Sequence, residues 1–343
     1  MLRVLEGLPE GFLAADARTL HRVLPGPALI HLRGRREPPL FVSLLLHGNE
    51  PVGLEAVQRL LAAGRELPRA LTLFVGNVEA ARAGVRRLPG QPDYNRVWPG
   101  SELPPAPEHA MMAEVVARMR ERGVFASVDL HNNTGLNPHY ACVNRLEPAF
   151  LHLAVLFSRT VVWFLRPRGV QSAAFAPLCP SVTLECGRVG EARGAAHACA
   201  FLEACLRMDH LPAHPVPGHD IDLFHTVAVV RVAEGVPLGL GRGGPGLRLA
   251  PDLDRLNFRE LPPGTVLGWV EGCGARCLEV HDEAGRDVAR RYFEVTDGAL
   301  RTRVPLMPSM LTLDTEVVRQ DCLCYLMERV PAAAAGGAVA AAG

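Results

Sequence analysis

The chain has 343 residues, of which 48% are hydrophobic, and its 36 basic side chains balance 36 acidic ones. That apolar share supplies a packed core and excludes a disordered chain. The charge balance leaves no global footprint for nucleic acid or an anionic membrane surface, and no apolar run approaches bilayer-spanning length.

All 36 basic residues are arginine. Residues 1–20 mix Arg, Glu, Asp and Gly with scattered apolar residues, unlike a secretory signal, so a soluble cytoplasmic protein is expected. The nine cysteines are odd in number. Cys142, Cys186, Cys199 and Cys205 sit among apolar neighbours, as small buried thiols do in a reducing compartment. Cys273, Cys277, Cys322 and Cys324, spaced CxxxC and CxC, match structural zinc frameworks poorly.

In chain order, 41–46 (FVSLLL) reads as a strand buried on both faces. A helix follows, with Leu54, Val57, Leu60 and Leu61 on one face. Residues 70–75 (ALTLFV) read as the next strand, 77–96 as loop and 99–107 as a Pro-rich loop. Residues 108–122 carry a helical stripe of Met111, Met112, Val115, Val116 and Met119, with Gly123 as the stop. Residues 125–130, 160–165 and 181–186 are strand-like, and 194–208 is an Ala-rich helix. Strands alternating with helices predict an α/β fold, a mostly parallel mixed sheet covered by helices on both faces.

The character changes at LPAHPVPGHD, 211–220. Past it, 226–232, 265–270, 288–295 and 322–327 read as short strands between Gly/Pro turns. The expected organisation is a catalytic domain at 1–210, a smaller β-rich domain at 211–330 and a disordered Ala/Gly tail at 331–343.

Chemistry concentrates at strand ends. His47-Gly48-Asn49-Glu50 directly follows FVSLLL, and ligands gather at the carboxyl ends of strands in open α/β sheets. A His and a Glu three residues apart either cap the following helix or turn toward a metal. His131, in DLHNN after the strand FASVDL, would complete a His–Glu–His set. Three protein ligands leave one position for water, the catalytic arrangement of zinc. Asp129 is placed to orient a ligand imidazole. Glu185, ending the strand SVTLE before Gly187, is either a general base or an ordinary ion-pair partner. Arg86, Asn95 and Arg96 are hydrogen-bond donors suited to carboxylates and oxyanions, unless they are surface groups. Arg166 and Arg168 are further candidates by position alone.

Together these motifs resemble the zinc carboxypeptidase-like superfamily, and within it the succinylglutamate desuccinylase/aspartoacylase family. HGNE matches that family's first metal motif. NVEAARAGVR followed by DYNR is similar to its Asn-to-Arg stretch and DLNR motif, with Tyr94 for Leu and two additional residues between Arg86 and Asn95. DLHNNTG resembles the motif of the third ligand, and TLECG the strand of the catalytic Glu. The motifs cover 40–200. Past 210 the likeness is an outline, a β-rich C-terminal domain.

The resemblance implies one zinc ion per chain held by His47, Glu50 and His131, with Glu185 as general base. It implies that Arg86 polarises the scissile carbonyl and holds the oxyanion, and that Asn95 and Arg96 grip a substrate carboxylate. Asp93 and Asp129 would support the ligands from behind. The implied reaction is hydrolysis of a small N-acyl amino acid. A metallocarboxypeptidase acting on peptide C-termini and a non-catalytic zinc or small-molecule binder are the alternatives. No pattern encodes the acyl group, the amino acid or the oligomeric state.

Overall fold

A computed structural model describes residues 2–331, and the Ala/Gly-rich end read above as disordered lies outside the described residues from position 332 onward. The first nine strands are β1 (Arg3–Leu5), β2 (Ala28–Leu32), β3 (Leu40–Leu44), β4 (Leu71–Val75), β5 (Ala126–Asn133), β6 (Tyr140–Val143), β7 (Thr160–Trp163), β8 (Ser181–Arg188) and β9 (Asp222–Val232). Beyond them the chain alternates between two sheets. Strands β10 (Leu238–Leu240), β11 (Gly246–Leu249), β12 (Val266–Glu271), β14 (Phe293–Thr296) and β15 (Ala299–Thr302) form a second sheet. Strands β13 (Leu278–Asp282), β16 (Met307–Ser309) and β17 (Cys324–Arg329) return to the first.

The large sheet is mixed and runs β1-β2-β4-β3-β5-β8-β6-β7-β9-β17-β16, with β13 also on β9. Its centre, β4-β3-β5-β8, is parallel. β6 enters antiparallel to β8, and β7 and β9 continue parallel to β6. Hydrogen bonding of this sheet therefore crosses the change of sequence character near residue 211.

The helices are α1 (Val52–Leu61), α2 (Val78–Ala83), α3 (Pro107–Arg122), α4 (Pro148–Val155), α5 (Gln171–Phe175), α6 (Ala192–Arg207), α7 (Ala289–Tyr292) and α8 (Thr315–Gln320). Alternation along the central strands sorts their side chains between two layers. On one face Leu40, Val42, Leu44, Leu71, Leu73 and Val75 pack with Leu54 and Val57 of α1 and Ala198 and Leu202 of α6. On the other, Phe41 and Phe74 pack with Met112, Val115, Val116 and Met119 of α3, and with Trp98 and Phe175. Burial on both faces is why β3 and β4 read as unbroken apolar runs. Among the described residues no helix is long and apolar enough to cross a membrane.

Two local readings change. The stretch 77–96 opens with α2: the Asn77 side chain accepts from the Ala80 N–H at 3.1 Å, and Gly84 at φ +70° ends the helix. Six residues are too few to show a helical period. The expected strand at 288–295 is the short helix α7 followed by β14.

Candidate metal centre and active site

The site is built where β3, β5 and β8 end side by side. After β3, Leu45 takes a left-handed backbone (φ +54°), and His47 and Glu50 occupy the turn before α1. Gly48 is required there by packing, because a Cβ would lie 2.2 Å from the backbone of Ala80 and Ala81 in α2. The Gly48 N–H donates to the Arg86 carbonyl at 3.0 Å, which ties the metal turn to the arginine loop. Asn132 adds a second tie: its Oδ1 accepts from Val52 N–H at the start of α1, and its Nδ2 donates to the Gly187 carbonyl.

His131 lies within β5, one residue past its predicted end, and pairs in register with Glu185 of β8. Side chains in register on adjacent parallel strands share a face. The third candidate ligand and the candidate base are thus neighbours by sheet geometry.

One ligand atom each from His47, Glu50 and His131 lies within 4.8 Å of the others, and all three residues are buried. His47 Nδ1 is 2.9 Å from Glu50 Oε1, and His131 Nδ1 is 2.7 Å from Glu50 Oε2. Each imidazole turns its other nitrogen to a carboxylate. His47 Nε2 is 3.0 Å from Asp93 Oδ1, and His131 Nε2 is 2.7 Å from Asp129 Oδ2. Asp129 is itself held by the Ser43 hydroxyl at 2.6 Å and by Asn95 Nδ2 at 3.0 Å. Imidazole backed by carboxylate is how proteins fix the tautomer and direction of a metal-ligating histidine. The donor set, two nitrogens and a carboxylate, fits a divalent zinc ion with an open position.

The electrostatics agree with that fit. Burial would raise the Glu50 carboxyl, but the two imidazoles hold it far below the usual carboxylate range. Burial lowers both imidazoles, yet the surrounding carboxylates raise them on balance: Glu50 and Asp93 at His47, Asp129 and Glu50 at His131. The carboxylates thus set a locally negative environment around the two imidazoles.

Glu185 differs. Its Oε2 is buried with no hydrogen-bond partner among the described residues. Burial, only partly offset by His131, pushes its carboxyl up to about 7. A carboxyl poised near neutrality can both accept and return a proton.

The cationic side is equally ordered. Arg86 donates through Nε and Nη2 to Asp93 Oδ2, at 3.2 and 2.9 Å, and through Nη2 to Asp321 Oδ2 at 3.2 Å. Its Nη1 stands 3.6 Å from Glu50 Oε1. Arg96 donates through Nη2 to Asp321 Oδ1 at 2.9 Å. The Asn95 amide is engaged internally: its Nδ2 donates to Asp129 at 3.0 Å, and its Oδ1 accepts from the Gln171 N–H at 2.9 Å.

His47, Glu50, Arg86, Asn95, Arg96, His131 and Glu185 all line one cavity that is open to solvent. Arg166 joins them, whereas Arg168 lies outside in an adjoining cleft and pairs with Glu102 at 3.1 Å. Asp321, Tyr325 and Tyr140 also line the cavity, and sequence reasoning did not single them out. The nine cysteines are unpaired, and Cys273, Cys277, Cys322 and Cys324 are not among the metal-competent groups of the described residues.

A sequence profile of the succinylglutamate desuccinylase/aspartoacylase catalytic domain matches residues 38–207. Comparison with curated proteins gave no match. Among solved structures, a succinylglutamate desuccinylase/aspartoacylase from Rhodobacter sphaeroides is similar at 15% identity and a TM-score of 0.57, over 88% of each chain. Murine aminoacylase 3 is similar at 17% identity and a TM-score of 0.55, over 86% of this chain and 97% of its own. The product-bound ectoine utilization protein EutE (DoeB) from Ruegeria pomeroyi is similar at 18% identity and a TM-score of 0.57, over 88% of each. At these identities the structural likeness speaks for the fold, an α/β sheet with a second sheet domain. Through residues 38–207 the chain belongs to the succinylglutamate desuccinylase/aspartoacylase family.

Proposed function

We propose that this chain is a zinc-dependent deacylase that hydrolyses the amide bond of a small N-acyl amino acid. The observation that carries this is the convergence of His47, Glu50 and His131 beside the unpartnered, buried Glu185. One zinc per chain would be held by those three residues, and the chemistry it supplies is Lewis acidity, which lowers the pKa of water and polarises a carbonyl.

The rest falls to the chain's own groups. Asp93 and Asp129 fix the two imidazoles so that Nδ1 faces the site. Glu185, at its unpartnered Oε2, takes a proton from the attacking water and returns it to the departing nitrogen. Arg86 lends Nη1, the end not engaged by Asp93 or Asp321, to the developing oxyanion. Arg96 stands beside it at the substrate carboxylate, with Asn95 holding the loop and Asp129 together. A cytoplasmic setting suits nine unpaired thiols.

The test is a turnover screen of zinc-loaded protein against acetyl-, succinyl- and other N-acyl amino acids, with peptides alongside. Release of the free amino acid from at least one N-acyl substrate is expected, and its loss in Glu185→Gln. Cleavage of peptides alone would make the protein a carboxypeptidase instead. No turnover of either class would remove the enzymatic reading.

A further inference from the structure

The charges that line the pocket constrain its substrate, given the deacylase reading above. Its cations are Arg86, Arg96 and Arg166, and its carboxylates are Glu50, Glu185 and Asp321. Each cation already has an acid partner. Arg86 has Asp93 and Asp321, Arg96 has Asp321, and Arg166 has Glu102.

Asp321 divides its carboxylate between two guanidinium groups, Oδ2 to Arg86 and Oδ1 to Arg96. Its position is built rather than incidental. It closes α8, whose start is capped by the Asp314 side chain, and its N–H donates to the Val317 carbonyl at 3.1 Å. Its own carbonyl accepts from Arg231 Nε at 3.2 Å, and β17 begins three residues later.

Part of the lining carries no charge. Cys142, Val162, Phe164, Val170 and Met310 form that part, with Tyr140, whose hydroxyl is 3.0 Å from the Met310 sulfur. The cavity therefore combines internally neutralised charges with an apolar lining.

We propose that Asp321 is a specificity-determining residue, an internal carboxylate on the forks of Arg86 and Arg96 that restricts the site to N-acyl amino acids with one carboxylate and an apolar arm. The arm packs on Val162, Phe164 and Val170. The single substrate carboxylate approaches Arg96 from its Nε side, which Asp321 does not use. A second carboxylate meets a cost either way. It is desolvated without a cation of its own, or it displaces Asp321 and leaves that charge unpaired. Rejection by an unpaired buried charge is selection against the wrong ligand.

The experiment measures binding to zinc-loaded Glu185→Gln protein, which does not turn ligands over. The probes are N-acetyl-L-leucine, N-acetyl-L-aspartate and N-succinyl-L-leucine, read by calorimetry. N-acetyl-L-leucine should bind at least about tenfold tighter than either dicarboxylate. Adding Asp321→Asn should shift that ratio by about tenfold or more toward the dicarboxylates. Val162→Thr, which touches no charge, should weaken N-acetyl-L-leucine alone, so the inference stays testable if the Asp321 variant does not fold. Dicarboxylates binding as tightly as N-acetyl-L-leucine would overturn the inference, as would an unmoved ratio in folded Asp321→Asn or no binding of any probe. Failure of the deacylase reading has a separate signature. Wild-type protein would hydrolyse no N-acyl amino acid of the wider screen while the binding preference held. Faster turnover of N-acetyl-L-aspartate than of N-acetyl-L-leucine would sink this inference and leave the deacylase standing.

Discussion

Replacing Glu185 by Gln in the metal-free protein isolates one desolvated charge. Burial raises this carboxyl from its ordinary 4.5 to about 7. Between those pH values the folded chain holds a proton that the unfolded chain has already released. Wild-type stability thus contains a contribution that is complete below pH 4.5 and is lost as pH rises through about 7. At 1.36 kcal/mol per pH unit the interval is worth about 3 kcal/mol. Gln at this position does not titrate. The stability of the variant relative to wild type should therefore rise by about that amount across the window and then level off. His47 and His131 titrate in both proteins and cancel in the difference to first order. The assay is a series of urea unfolding curves for both proteins, chelator-treated, from about pH 4 to about pH 8. A stability difference that stays flat, or that moves against the variant with rising pH, would refute the picture of a buried carboxyl forced toward neutrality.

The remaining expectations concern the metal and the turn that holds it. His131→Ala should lose zinc and activity together, whereas Glu185→Gln keeps zinc and loses activity; elemental analysis of both decides, and zinc loss in the Glu185 variant would mean the roles are misassigned. Asp129→Asn removes the acid behind His131 Nε2 and should weaken zinc binding by about 10- to 100-fold in a chelator competition. An unchanged affinity would show that Asp129 does not orient the ligand. Gly48→Ala places a Cβ 2.2 Å from the α2 backbone. It should cost roughly 3 kcal/mol, seen as a lower melting temperature, and wild-type melting would contradict the packing argument.

The two candidate metal motifs and the Glu185 motif were legible because each sits at the end of a strand buried on both faces. Such strands read as continuous apolar runs, and the polar residues after them stand out. Gly48 and Asn132 were visible as letters, but their work was not. One leaves room for α2, and the other joins α1 to the end of β8. Helix α2 escaped notice because six residues carry no period, although Asn77 and Gly84 are its cap and its stop.

Asp321 shows the limit most clearly. It lies 235 residues from Arg86 and 225 from Arg96, in a stretch, RQDCLC, with no local signature. The sheet brings them together. The region past residues 211–220 joins it through β9, which takes β17 alongside and leaves Asp321 just ahead of that strand. The same assembly sets β6 beside β8 and β7 beside β6, and so supplies Cys142 and Val162 for the apolar lining.

Local patterning was enough for the alternation of strand and helix, the candidate ligand types and their place at strand ends. Those follow from local periodicity and from the few side chains able to hold a divalent ion. Which carboxylate backs which imidazole, that Glu185 stands desolvated beside His131, and that Asp321 occupies both arginines came from the folded arrangement alone. Each of those depends on strand order and register, which bring distant residues within hydrogen-bond reach and set the desolvation on which their charge states depend.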